Sequence, residues 1–258
     1  MKRMIAFQGA DAKVGTTMVS QSVAELIASS RKDLKVFFAA CNGKSGTEYF
    51  QTIGEWIENV RISLENRVVS KLELLENCRQ TDNLYFLGGV GGILQDRRYR
   101  PEMVAYLAEL LEDGIDLLIV DCGSEMDNAL AAGAMEQAHD RYCILTQQES
   151  VLRRYEKLKK LYDRMNLSVS GYVLNKYLQD DPYTPSYIEK RLPLEAKPLY
   201  LVENIALGRR AEAERRTFLS YGRSDYAEEI RFIVNRILEE AELPVLNKQR
   251  KGLWKSSI

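Results

Sequence analysis

Apolar residues in this chain fall into short continuous runs, separated by longer stretches in which apolar and charged residues recur at helical spacing. Met4–Gln8, Lys35–Ala40, Leu84–Gly88, Leu117–Asp121, Tyr142–Thr146 and Tyr172–Asn175 read as strands. Thr17–Ser29, Thr47–Asn59, Pro101–Glu112, Leu152–Asn166 and Tyr226–Glu242 read as helices. In the last of these, Ile230, Ile233 and Ile237 keep one face apolar, and Pro244 stops the helix. Strands that are apolar throughout, alternating with helices, predict an α/β fold: a mostly parallel sheet with helices on both faces. No repeat, low-complexity block or Gly/Ser-rich linker interrupts the alternation. We expect one domain over residues 1–243 and a short basic tail over 244–258.

Composition narrows the picture. The chain has 258 residues, 45% of them hydrophobic, which is enough for a globular core. A formal net charge of −1 gives no general reason to expect a nucleic-acid partner. No apolar run approaches the roughly 20 residues of a membrane span. Met1-Lys2-Arg3 precedes only a strand-length apolar stretch without a small-residue cleavage site, so a secretory signal is not expected. Cys41, Cys78, Cys122 and Cys143 form no C-x-x-C pair, and three lie in or beside strand-like runs. They read as reduced, buried residues of a cytoplasmic protein. His139 is the only histidine, which excludes a multi-histidine metal site.

The candidate chemistry sits at the first strand–helix junction, Gly9-Ala10-Asp11-Ala12-Lys13-Val14-Gly15-Thr16-Thr17. In the phosphate-binding pattern G-x-x-x-x-G-K-[ST], backbone N–H groups cradle phosphates, the lysine reaches the β and γ oxygens, and the hydroxyl holds magnesium. Gly15 and Thr17 match that pattern. Ala10 stands at the first glycine and Thr16 at the lysine. Downstream, Asp116-Leu-Leu-Ile-Val-Asp121-Cys122-Gly123 ends an apolar strand in a carboxylate, the placement a magnesium-facing aspartate needs.

Taken with Tyr142–Thr146, the helix start at Glu149-Ser150, and Gly171-Tyr-Val-Leu-Asn175-Lys176, this order of motifs resembles MinD/ParA-type deviant P-loop ATPases over roughly residues 1–240. The resemblance implies that Asn175 faces adenine. It also implies that Glu203-Asn204-Ile205-Ala206 forms the second adenine-facing loop, with Glu203 in the nucleotide site. Ala10, Asp11, Ala12, Lys13, Val14, Gly15, Thr16 and Thr17 would wrap the phosphates. Thr17 and Asp121 would hold magnesium, and Asp121 is the one candidate for a catalytic role. Asp121 could equally end its strand by accepting N–H bonds, and Asn175 could satisfy loop backbone.

The departures from that family's K-G-G-V-G-K-T-T loop all remove function. Its first lysine, which reaches a partner's phosphates across an ATP-sandwiched dimer, becomes Asp11. Two unit charges ~4 Å apart interact by about 4 kcal/mol at an effective dielectric near 20, so this reversal is costly. Ala12 and Lys13 replace glycines in a loop that needs positive φ, where a side chain costs roughly 1 kcal/mol or more. On the second strand, Ala40 and Asn42 replace the two aspartates of D-x-D. An asparagine orients water but cannot take its proton.

Loss of the lysine beside a retained V-G-x-T core looks most like the TadZ/CpaE branch, which localises Flp/Tad pilus machinery. Because the phosphate loop begins at once, the receiver-like domain common there is not expected here. We therefore expect ATP or ADP with magnesium to bind weakly or not at all, and ordinary turnover to be lost. The expected role is a pseudo-ATPase, a homodimer that positions or assembles a membrane or pilus-secretion machine by binding a protein partner. Two alternatives are a slow ATPase of the chromosome or plasmid partitioning type, with Lys13 standing in for the lysine, and a nucleotide-free structural adaptor.

Two basic regions are weaker signals. The helix at 152–166 carries Arg153, Arg154, Lys157, Lys159, Lys160 and Arg164, a pattern that usually makes a solvated face. The tail from Lys248 mixes cations with Leu253, Trp254 and Ile258, similar to a MinD-type membrane-targeting segment. An anionic membrane surface is the expected contact of 245–258 if the tail is more than a frayed terminus. That contact would place the protein at the inner face of the membrane.

Overall fold

The computed structural model describes residues 1–51, 54–91, 99–192, 194, 197–203, 206, 208–221 and 225–246. Its strands are β1 (Arg3–Gly9), β2 (Val36–Ala40), β3 (Glu55–Trp56), β4 (Leu84–Gly88), β5 (Leu117–Asp121), β6 (Asp140–Leu145), β7 (Gly171–Tyr177) and β8 (Leu199–Glu203). They form one sheet in the order β3-β4-β2-β5-β1-β6-β7-β8, and every neighbouring pair is parallel. Every residue of β2, β4 and β5 is buried, as a sheet covered on both faces requires.

Between the strands run α1 (Thr16–Ser30), α2 (Ile57–Glu65), α3 (Lys71–Cys78), α4 (Glu102–Leu111), α5 (Ala129–Gln137), α6 (Glu149–Arg164) and α7 (Pro185–Arg191). The helices α8 (Gly208–Glu214) and α9 (Asp225–Glu240) follow the last strand. Helix α1 packs against α9 on one face, while α4 packs against α2 and α5. Helix α1 is buried on nearly all sides, so even its polar residues need partners. Ser22 Oγ meets the Tyr226 hydroxyl at 2.9 Å, and the Gln21 amide donates to the Gly46 carbonyl at 2.7 Å. The core is stapled by aromatic stacks of Phe7 on Tyr142 and of Phe38 on Phe86, with Phe50 set against both phenylalanines of the second pair.

One predicted helix is corrected. Thr47–Asn59 is not a helix: Thr47 and Phe50 belong to a loop, Glu55–Trp56 form the edge strand β3, and the helix begins at Ile57. Tertiary packing overrides the local pattern here. Phe50 is drawn into the aromatic cluster, and Gly54 presses so closely on the Asn77 backbone that a Cβ would collide with its carbonyl. The other predicted elements recur with ends shifted by a few residues, as at α6, which begins at Glu149 rather than Leu152. The elements α3, α5, α7, α8 and β8 were not among those expected from the pattern.

After α9 the chain stays attached to the body: the Pro244 carbonyl accepts from Arg31, and buried Leu246 donates its N–H to Asn235 Oδ1 at 2.8 Å. Most of the tail predicted to meet a membrane, residues 247–258, lies outside the described residues.

Candidate functional site

Because all strands run the same way, their C-terminal ends share one edge, and the loops after β1, β2, β5, β6 and β7 converge there. Connections leave β1 toward β2 on one side and cross from β5 to β6 on the other, so the direction changes at β1, the switch point at which open parallel sheets commonly take ligands.

The loop between β1 and α1 lies at that point. Gly9 has room for no side chain, since a Cβ would meet Thr16 Oγ1 and Val14 Cγ2. Its N–H donates to the Gly123 carbonyl at 2.7 Å, and the Ala10 N–H donates to Ile144 O at 2.9 Å, tying the loop to β5 and β6. Gly15 caps α1 at φ 97° and Lys13 sits at φ 61°, while Ala12 and Val14 stay at negative φ. Alternating left-handed residues turn successive N–H groups into a concavity that accepts anions. The first turn of α1 has no side-chain cap, leaving its N–H groups and its positive dipole end for a ligand. Lys13 therefore occupies a backbone conformation that favours glycine, as the sequence led us to expect.

Thr16 is buried against Gly9 at the lysine's position and brings no charge into the loop. Thr17, one residue on, donates its hydroxyl to Asp121 Oδ2 at 2.7 Å. Asp121 is fully buried and accepts two further hydrogen bonds, from the Asn42 amide at 2.8 Å and the Gly123 N–H at 2.9 Å. Burial pushes its carboxyl above the usual range, opposed by those three donors, while the nearby Glu48 carboxylate adds to the rise. Thr17 and Asp121 thus bring a hydroxyl and a carboxylate together beside the loop, the two donor types that magnesium takes in phosphate-binding proteins. Among the described residues no group of three or more His, Cys, Asp or Glu side chains could hold a metal unaided, so phosphate and water oxygens would have to complete the coordination. β2 contributes no acid: Ala40 lies beside Asp121 in register, and the Asn42 amide is spent on Asp121.

The remaining predicted residues divide. Asn175 reaches the loop, but its amide donates to the Val14 carbonyl at 2.7 Å and lies against Gly15, the contact expected of the backbone-satisfying alternative. Its neighbour Lys176, to which the sequence pattern assigns no role, donates to the Lys13 carbonyl at 2.6 Å. Glu203 is exposed at the end of β8, three strands from β1, and its backbone N–H donates to Glu229 Oε2 at 2.9 Å. Asn204 and Ile205, the rest of the expected second adenine loop, lie outside the described residues.

Asp11 is held within its own chain. Its carboxylate accepts from the Ala12 N–H at 2.7 Å and faces Arg154 of α6 at 3.6 Å, and Arg154 also pairs with Glu125 at 2.7 Å. Only its opposite charge, in the second turn of a helix remote in sequence, could have signalled Arg154 beforehand. Much of the basic face of α6 is neutralised the same way: Arg153 pairs with Glu149, and Lys159 with Asp163. The four cysteines are free and buried, and no described helix is long and apolar enough to cross a membrane.

No protein-family model matches the chain, and no curated protein is significantly similar to it in sequence. Solved structures do resemble it. A ParA family ATPase from Chlorobium tepidum TLS superposes with a TM-score of 0.79 at 18% identity, covering 91% of this chain and 99% of that one. The septum site-determining protein MinD of Pyrococcus horikoshii OT3, solved with Mg-ADP, gives 0.71 at 17% identity over 92% and 96%. A Cyanothece McdA variant in complex with ATP gives 0.71 at 10% identity over 95% and 98%. At these identities the likeness establishes the fold, that of the ParA/MinD P-loop ATPases, and the expected α/β architecture with its parallel sheet is what the structure has.

Proposed function

We propose that the chain is a MinD/ParA-like pseudo-ATPase: a protein that keeps the nucleotide-responsive scaffold, has lost hydrolysis, and positions or assembles a membrane-associated machine through a protein partner. The observation that carries the reading is the Thr17–Asp121 pair, intact at 2.7 Å beside a second strand that ends in Ala40 and Asn42. That pair would serve as the magnesium-facing half of the site, while neither Ala40 nor Asn42 could order and deprotonate an attacking water as an acid would. When bound, MgATP or MgADP would supply phosphate oxygens to the N–H groups of residues 10–17 and a metal between Thr17 and Asp121. The protein's own contribution is to hold those groups still. Support for a Flp/Tad-type machine comes only from the sequence resemblance to the TadZ/CpaE branch, and homodimerisation is carried over from the same family arrangement. The Asp11–Arg154 contact favours a dimer that does not depend on position 11 to reach across to a partner's phosphate.

A second reading, the nucleotide-free adaptor, is favoured by Asn175, whose amide is spent on the loop itself. One experiment separates the readings. With magnesium and saturating ATP, the purified chain is expected to bind nucleotide and to hydrolyse it no faster than Thr17→Ala. A rate that depends on Thr17 and Asp121 would establish the partitioning-type ATPase instead, and an absence of binding would establish the adaptor.

A further inference from the structure

We propose that Lys176 supplies the phosphate-facing cation that position 16 lacks, an assignment that rests on the nucleotide reading above and specifies its site. The lysine is remote in sequence but brought to the loop by β7. There the pairing with β8 breaks register between Leu174 and Tyr177, and Lys176 takes the left-handed conformation at φ 55°. A register break re-aims the side chains around it. In this case two consecutive residues of β7 grip two consecutive carbonyls of the loop: Asn175 that of Val14 at 2.7 Å, and Lys176 that of Lys13 at 2.6 Å. Lys13 is left-handed too, so two non-glycine residues meet in a conformation that side chains disfavour. Such paired strain persists where surrounding structure holds it, and it gathers at ligand-binding sites.

The chemistry matches what the loop has lost. An ammonium carries three N–H donors, of which the Lys13 carbonyl takes one, and the Lys176 side chain is exposed at the mouth of the loop. The remaining donors are available to a polyphosphate seated on the N–H groups that follow Lys13. Lys13 is exposed as well, but among the described residues it is the Lys176 ammonium, not that of Lys13, that is fixed on the loop by a hydrogen bond, to the Lys13 carbonyl. The nearest acid of the loop, Asp11, is committed to Arg154. The ligand class is therefore a nucleoside di- or triphosphate held by a lysine from the seventh strand rather than from the helix start.

The test is titration of MgATP, MgADP and AMP into the full chain by calorimetry. Lys176→Ala is expected to weaken MgATP and MgADP about tenfold or more, the scale of a charge-assisted hydrogen bond, and AMP less. Lys176→Gly, which relaxes the left-handed backbone while removing the cation, should show the same loss, so that strain and charge are separated. Lys176→Arg should keep most of the affinity, and Thr16→Lys in the Lys176→Ala background should restore it. Unchanged MgATP affinity in Lys176→Ala and Lys176→Gly overturns the assignment alone, as does a loss confined to Lys13→Ala. If the wild-type chain binds no MgATP, the nucleotide reading falls and this assignment falls with it.

Discussion

Restoring a lysine at position 16 is the sharpest test of the phosphate loop. Thr16 is buried, with its hydroxyl over Gly9 and beside Val14, so the γ position of the new side chain already has a path into the loop. Its ammonium would then face phosphate oxygens that now meet only backbone N–H groups and a lysine from β7. A hydrogen bond from a charged group contributes about 1.5–3 kcal/mol, and each 1.4 kcal/mol is about tenfold in affinity. Thr16→Lys should therefore tighten MgATP binding roughly 10- to 100-fold. With ATP well above both dissociation constants, the same difference appears as extra ligand-linked stability. For a domain of this size 1 kcal/mol moves the melting temperature by about 2–4 °C. The assay is differential scanning fluorimetry with and without MgATP, supported by calorimetric affinities. The variant should show an ATP-induced rise about 3–12 °C larger than wild type. An equal rise in both proteins would refute the reasoning, because a cation at position 16 would then add nothing to the phosphate contacts made by the backbone N–H groups and Lys176.

Three further outcomes follow from the structure. Glu25 lies half-buried on α1 beside the Thr217 hydroxyl, and desolvation pushes its carboxyl from 4.5 up to about 7. The folded state then binds the proton that the unfolded state has lost, so stability falls as pH rises from about 4.5 to 7, by up to about 3 kcal/mol at about 1.36 kcal/mol per unit. Glu25→Gln should flatten that slope and raise the melting temperature at pH 8, and parallel melting curves across this window would show that the carboxyl is not strained by burial. Gly15→Ala should destabilise by about 2 kcal/mol or more in denaturant unfolding, since a Cβ at φ 97° is strained and runs into the Asn175 amide; a change below about 0.5 kcal/mol would contradict the loop geometry. Deleting residues 247–258 keeps the packed Leu246 in place, so melting should be unchanged while binding to phosphatidylserine vesicles is lost; equal vesicle binding would return the tail to a plain polar terminus.

Much of the architecture is written in local pattern. β2, β4 and β5 are apolar at every position because both faces are covered, so these runs can be read without knowing their partners. The phosphate loop and the Asp121 strand end were legible for a related reason: backbone nests and metal ligands need particular residue types at fixed short spacings. The losses at 11, 16, 40 and 42 were equally plain, since a missing charge is visible without coordinates.

Tertiary structure decided the rest, because those features depend on contacts between residues far apart in the chain. The segment from Thr47 carries a helical pattern, yet Phe50 gains more by joining Phe38 and Phe86 than a helix would return, and Gly54 fits against Asn77. The Asn42 amide turns to Asp121, 79 residues away, and Asp11 finds Arg154 on α6. Asn175 and Lys176 close a strand whose motif could be read in the sequence, but their contacts with the loop could not. Only the parallel sheet, with β7 two strands from β1, brings them more than 160 residues back onto the carbonyls of Val14 and Lys13. Sequence reports which groups a chain possesses. Which of them share a few ångströms depends on strand order, and strand order is set by how all the faces are buried together.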